Sequence, residues 1–188
     1  MTTWITSDTH FGHKNITGPK VSTWEDGYRI FDSIREMDET MLENINSVVK
    51  SSDELIHLGD FAFGGSDVYD KYAKRIYCKN IHFLRGNHDK LSNYDLKGIF
   101  TSVDSYREYR YNGNFIVLCH YAMLTWNKAH RGSFMLHGHS HGSLKYPFVQ
   151  RIKDVGVDTN NYKPYNLEEV ISELSKIECF SPDHHVTN

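Results

Sequence analysis

The chain has 188 residues, 39% hydrophobic and 24% charged, with a net charge of −3. Such a composition describes a soluble globular protein with chain enough for a sizeable core, and no apolar run is long enough to span a bilayer. The acidic balance weighs against tight nonspecific binding to long nucleic acid, although divalent cations held by carboxylates would still present a positive site to a small anion.

The order of elements reads as a layered α/β or α+β domain over residues 1–180, with a frayed tail at 181–188 carrying an incidental His184-His185 pair. Met1 to Thr6 lacks the basic and apolar segments of a signal peptide. Cys78, Cys119 and Cys179 are odd in number and lack CxxC spacing, so reduced thiols and a cytoplasmic location are expected.

In chain order, Thr2 to Ser7 is a strand, followed by a polar, glycine-containing stretch from Phe11 to Ile30. Ser33 to Lys50 is a helix: Ser33 and Glu36 have capping-box spacing, and Ile34, Met37, Met41, Ile45 and Val48 make one apolar face. Asp53 to Leu58 is a strand, Val68 to Tyr77 a helix, and Asn80 to Leu84 a strand. Val103 to Tyr111 and Phe115 to Cys119 are strands joined at Asn112-Gly113, a hairpin-turn pair. Phe134 to His137 and Asp154 to Val157 are strands, and Asn166 is the N-cap of a last helix, Leu167 to Lys176.

Five short clusters of metal-ligand residue types fall where these strands end: Asp8-Thr9-His10, Gly59-Asp60, Gly86-Asn87-His88-Asp89, His120 and Gly138-His139-Ser140-His141. They hold five of the chain's 12 histidines. Alternation at a strand end would put Asp8 and His10 on one side, and His139 and His141 likewise. Asp60 follows a glycine, where its carboxylate can project and bridge two ions. Asn87 offers a neutral oxygen, and His88 beside it can face a substrate. Phosphate-ester hydrolysis needs neutralised phosphoryl charge, activated water and a stabilised leaving oxygen; two divalent ions about 3.5–4 Å apart serve all three. Carboxylate, imidazole and amide ligands without thiolate suit manganese, iron or zinc.

This series of motifs resembles the calcineurin-like metallophosphoesterases, whose pattern runs D-x-H, GD, GNH(D/E), H and GHxH. Here it reads DTH, GD, GNHD, CH and GHSH, from Asp8 to His141. The resemblance implies a two-sheet β-sandwich flanked by helices, with the metals at the C-terminal ends of strands. It implies Asp8, His10, Asp60 and His141 around one ion and Asp60, Asn87, His120 and His139 around the other, Asp60 bridging. His88 would protonate the leaving oxygen or stabilise phosphoryl charge, and Asp89 would orient its ring. Two divalent ions are implied, manganese first, with iron, zinc or nickel as alternatives.

Other residues carry two readings each. His13 and Asn15 either touch the substrate phosphate or metal-bound water, or pack their loop. Arg85 either pairs with phosphate or with a core carboxylate. His57 and His82 read as satisfied sheet histidines, His137 as structural before second-shell, and Cys119 as a small buried residue. The stretches Phe11–Ile30, with Lys14, Lys20, Trp24 and Arg29, and Tyr121–Gly132, with Tyr121, Trp126, Asn127, Lys128, His130 and Arg131, are expected to shape the substrate pocket. Aromatic and basic residues together could stack a base and grip a phosphate, or Trp24 and Trp126 could simply anchor the loops.

The leading expectation is hydrolysis of a small phosphate mono- or diester, a nucleotide or cyclic nucleotide included, by hydroxide held between two metals. A nuclease is the alternative, then a protein phosphatase; a non-catalytic metal-binding scaffold ranks last.

Overall fold

The computed structural model describes residues 1–178; the expected tail at 181–188, its histidine pair and Cys179 lie outside the described residues. The elements are β1 (Thr3–Thr6), α1 (Lys14–Thr17), α2 (Ile34–Val48), β2 (Glu54–His57), α3 (Ser66–Arg75), β3 (Asn80–Leu84), α4 (Asn93–Leu96), β4 (Ser102–Asp104), β5 (Tyr106–Tyr111), β6 (Asn114–Cys119), β7 (Phe134–His137), β8 (Ile152–Asp154), β9 (Tyr165–Asn166) and α5 (Leu167–Ser175). One sheet has the order β4-β3-β2-β1-β9, parallel except for β9; the other is β5-β6-β7-β8, antiparallel only at β5–β6. The fold is α/β, two mixed sheets flanked by helices, as expected.

Strand alternation assembles these layers. Ile5, Ile56 and Leu84 of the first sheet meet Ile116, Leu118, Phe134 and Leu136 of the second in a core that also takes Val170 and Leu174 of α5. The opposite faces of the same strands point elsewhere. Leu55, Ile81 and Phe83 pack under Met37, Met41 and Ile45 of α2 and Tyr69 and Tyr72 of α3. Val117 and Met135 pack with Trp126 and Ala129 of the segment after β6.

Local signals place several boundaries. Ser33 caps α2 by accepting from Glu36 N at 3.1 Å, but the Glu36 carboxylate reaches Asp32 N at 2.8 Å rather than Ser33 N, so the box closes one residue early. Asn112 (φ 46°) and Gly113 (φ 81°) both take the positive φ of the tight hairpin expected there. Asn166 caps α5 by accepting from Glu168 N at 3.0 Å.

Four readings need correction. The single strand expected over Val103–Tyr111 is two, β4 and β5, in different sheets, with the chain crossing at Ser105. Extended backbone alone cannot tell a continuous strand from one that changes sheet. The strand expected at Asp154–Val157 ends at Asp154, because the Asp154 carboxylate accepts from Gly156 N at 2.8 Å and Val157 opens a short 3-10 turn. The polar stretch after Phe11 holds a one-turn helix, α1. Finally, α4 carries a complete capping box between Ser92 and Asp95, a signal present in the sequence at Ser92-Asn93-Tyr94-Asp95.

Candidate active site

β1, β2 and β3 run parallel, as do β6 and β7. Their C-terminal ends therefore release Asp8–His10, Asp60, Asn87–Asp89, His120 and His139–His141 along one rim of the paired sheets. Backbone conformation then aims the side chains. Asp8 (φ 61°), His10 (φ 52°), Asp60 (φ 54°), His139 (φ 68°) and His141 (φ 47°) all adopt the left-handed region. For a residue other than glycine this costs about 1–3 kcal/mol, and such strain clusters at functional sites. Strand alternation, expected to align Asp8 with His10, is thus not the cause, since β1 has already ended at Thr6. The strained turns are held from outside: Asp8 N donates to Gly59 O and His10 N to Asp60 O, each at 2.9 Å.

The glycines of the motifs answer a spacing need. A Cβ on Gly86 would collide with Asp60 Oδ1, and one on Gly138 with Ser7 Oγ and, at 2.5 Å, Asp8 Oδ2. Neither position can carry a side chain while the neighbouring carboxylate stays in place.

Asp60 sits at the centre. Its Oδ2 lies 3.6 Å from His10 Nε2 and 3.5 Å from His120 Nε2, and its Oδ1 accepts from His88 N at 2.9 Å. Asp8 Oδ1 lies 4.0 Å from His10 Nε2 and 3.9 Å from His141 Nε2. Asn87 Oδ1 lies 3.0 Å from His120 Nε2 and 2.9 Å from His139 Nδ1. Two groups bring one ligand atom from each residue within 4.8 Å of one another: Asp8, His10 and His141, and Asp8, Asp60 and His120. Asp8 thus belongs to both.

Several of these rings are oriented from behind, as metal-ligating histidines are. His120 Nδ1 faces Leu58 O at 2.8 Å. His141 Nδ1 faces Asp158 Oδ2 at 2.6 Å, and Asp158 is gripped bidentately by Arg29 at 2.7 and 2.8 Å. Arg29 is buried and also donates to the carbonyls of Asp8 and Thr9, tying down the strained turn.

The donor set fits divalent cations on two counts. His10 Nε2 is a buried polar atom with no hydrogen-bond partner, which costs free energy unless something else engages it. Burial also pushes the Asp8 carboxyl up to about 6 despite the pull of His141 and His120; a cation would relieve that penalty. Burial raises Asp60 too, but its hydrogen bond with His120 and the surrounding histidines bring it below the usual carboxylate range. Burial opposes charge on His141, and Asp158 and Asp8 overcome it, so its pKa rises. His10 is driven well down by burial, then by Arg29 and His141, and stays neutral, as a ligand must.

The structure brings the seven expected ligands and His88 together. The other residues named from the sequence take different parts. Asp89 does not orient the His88 ring: its two oxygens accept from Asp60 N, Phe61 N, Gly86 N and Tyr69 Oη, binding the GD and GNH turns to each other. Asn15 accepts from Thr23 and holds its own loop. The guanidinium of Arg85 engages Asn93 Oδ1 and the carbonyls of Asp89 and Leu91. Trp126 is buried and donates to Ser133 Oγ at 3.0 Å, so it anchors rather than recognises. His13 does border the site, 3.3 Å from His10 Nδ1 and stacked on Phe63; burial, then His88, lowers its pKa to about 4.

The structural histidines behave as expected. His57 contacts Thr9 Oγ1 at 3.0 Å and accepts from Gly59 N. His82 meets Ser102 and Glu54, and His137 meets Gly138 O and Tyr146. Cys78 and Cys119 are free and buried. The sequence shows Arg29 as a loop cation but gives no sign of Asp158, for no local pattern marks a partner 129 residues away.

Beside the site opens a cleft of about 570 Å³. Residues of the 13–30 stretch line it, as expected, together with Ser140, Ser143, Asp158 and Tyr162 in place of residues 121–132. Of that second stretch, Tyr121 reaches the site, its ring 4.8 Å from that of His139. Among the described residues no helix is long and apolar enough to cross a membrane.

Strand-end histidines and carboxylates on two mixed sheets define a protein that gathers on one rim several side chains that could hold a metal ion. The family model for calcineurin-like phosphoesterase matches residues 1–183, and this chain belongs to that family, which uses divalent metals. It is 30% identical over 180 residues to the uncharacterized protein MJ1445 of Methanocaldococcus jannaschii, covering 92% of this chain and 91% of that one. Among solved structures it is similar to the protein of unknown function AQ665 from Aquifex aeolicus, with a TM-score of 0.69 and 24% identity, covering 92% and 98% of the two chains. An archaeal phosphodiesterase is a more distant likeness, at a TM-score of 0.48 and 19% identity, covering 83% and 82%.

Proposed function

We propose that this chain hydrolyses a phosphate mono- or diester of a small organic molecule, nucleotides and cyclic nucleotides included, with two divalent ions, manganese foremost. Asp8, His10, Asp60 and His141 would hold one ion, and Asp60, Asn87, His120 and His139 the other. The observation that carries the reading is Asp60 Oδ2, placed between His10 Nε2 and His120 Nε2 at 3.6 and 3.5 Å, next to an otherwise unpartnered buried imidazole nitrogen.

Bound divalent ions would supply Lewis acidity toward the phosphoryl oxygens and acidify water. The chain's own groups do the rest. Asp158 and Leu58 O hold the His141 and His120 rings with Nε2 inward. Asp89 locks the turns that carry Asp60 and Asn87. His88 borders the cleft, where an imidazole N–H can pass a proton to the departing oxygen. Histidine is the side chain most often found in that role.

The test is hydrolysis of bis(4-nitrophenyl) phosphate and 4-nitrophenyl phosphate by chelator-stripped protein, with and without Mn²⁺. Turnover that depends on Mn²⁺ is expected, and the ratio of the two rates divides diester from monoester. No turnover of either ester by protein carrying two metals would leave a scaffold. Degradation of plasmid or oligonucleotide would move the assignment to a nuclease.

A further inference from the structure

Beyond the candidate metal ligands, the cleft is lined by rings and aliphatic side chains, several of them exposed. His13 stands between His88 and Trp24, its centroid 5.6 Å from each, and Phe63 lies flat on it at 4.2 Å. Trp24 is 45% exposed, Phe63 49% and Ile30 80%. Tyr28 and Tyr162 continue the lining with Ile30. Ser140 and Ser143 also line the cleft.

The charge of the lining narrows the occupant. Among the described residues it holds no lysine and no glutamate; its arginine and aspartate, Arg29 and Asp158, are paired with each other. Among the described residues of the lining, no lysine or unpaired arginine stands ready for a second phosphate or a carboxylate. A volume of about 570 Å³ lies within the range of small-ligand pockets, far more than a phosphoryl group needs.

Resting on the phosphoesterase reading above, we infer that this cleft binds the nucleoside part of a nucleotide ester. The base stacks against the Trp24 side, the sugar hydroxyls face Ser140 and Ser143, and the single phosphate lies by His88 and Asp60. Exposed aromatic faces bind bases of any sequence because every base has a π-face, and the serine hydroxyls can donate or accept toward a sugar. Trp24 and Ile30 are specificity-determining residues: they enclose the part of the substrate that does not react.

The experiment uses the full chain loaded with Mn²⁺ and two esters with the same leaving group, thymidine 5′-(4-nitrophenyl) phosphate and methyl 4-nitrophenyl phosphate. The thymidine ester should show a kcat/KM at least about tenfold higher, the order of one base–aromatic stack. Trp24→Ala should lower kcat/KM for the thymidine ester about tenfold more than for the methyl ester, mainly through KM, and Trp24→Phe should restore most of the difference. Equal kcat/KM for the two esters, or equal losses on both in Trp24→Ala, would overturn the nucleoside cleft and leave the hydrolase standing. Absence of turnover on both, and on 4-nitrophenyl phosphate as well, would overturn the hydrolase reading, and this one with it.

Discussion

Replacing Arg29 with methionine tests whether the strained ligand turn is held from behind. The guanidinium is 2% exposed, pairs bidentately with Asp158, and donates to the Asp8 and Thr9 carbonyls. Methionine keeps much of the side-chain length but leaves Asp158 with only His141 and frees both carbonyls in a buried setting. Breaking one partner of a buried ion pair costs about 3–5 kcal/mol. For a domain of this size each kcal/mol lowers Tm by roughly 2–4 °C, so a fall of about 6–20 °C is expected. Thermal unfolding in EDTA at pH 7 measures the fall, and urea unfolding the free energy, free of any metal contribution. Burial favours the neutral Asp158 carboxyl, yet Arg29 and His141 hold its pKa below the usual 3.8. A depressed carboxylate stabilises the fold above its unfolded pKa and loses that contribution as pH falls toward its folded one. The gap between wild type and Arg29→Met should therefore stay flat from pH 7 to about 5 and narrow below about 4. A loss under about 1 kcal/mol, the range of surface pairs, would refute the clamp.

The other predictions concern single groups. Asp60→Asn should lower metal content, read by elemental analysis, from two ions toward none and abolish turnover; two retained ions would remove the bridging assignment. His88→Ala should slow hydrolysis by about 10²–10⁴ with metal content unchanged, whereas loss of metal would make it a ligand. Glu54, bonded to His82, Tyr109 and Thr3, is lowered to about 2, chiefly by His82 against the upward push of burial. Relative to its usual 4.5, that shift corresponds to about 3 kcal/mol. The contribution is complete above pH 4.5 and lost as pH falls toward 2, so Glu54→Gln should flatten the acid limb of the stability curve; an unchanged limb would show that the Glu54 cluster contributes nothing there.

What the sequence determined by itself was periodic or catalogued by residue type. The apolar face from Met37 to Ile45, the Asn112-Gly113 turn and the Asn166 cap follow from short-range stereochemistry. The candidate ligand residues were legible because they end hydrophobic strands in a recognisable order. Only the tertiary structure decided how those residues meet. Left-handed backbone at Asp8, His10, Asp60, His139 and His141, rather than strand alternation, turns them inward. Val103–Tyr111 divides between two sheets, which local extension does not encode. Asp89 ties turns together, while Trp126, Arg85 and Asn15 pair with Ser133, Asn93 and Thr23. Arg29 finds Asp158 across 129 residues. Those partnerships arise when loops far apart in sequence are closed upon each other by two packed sheets, and no local pattern records which loop will face which.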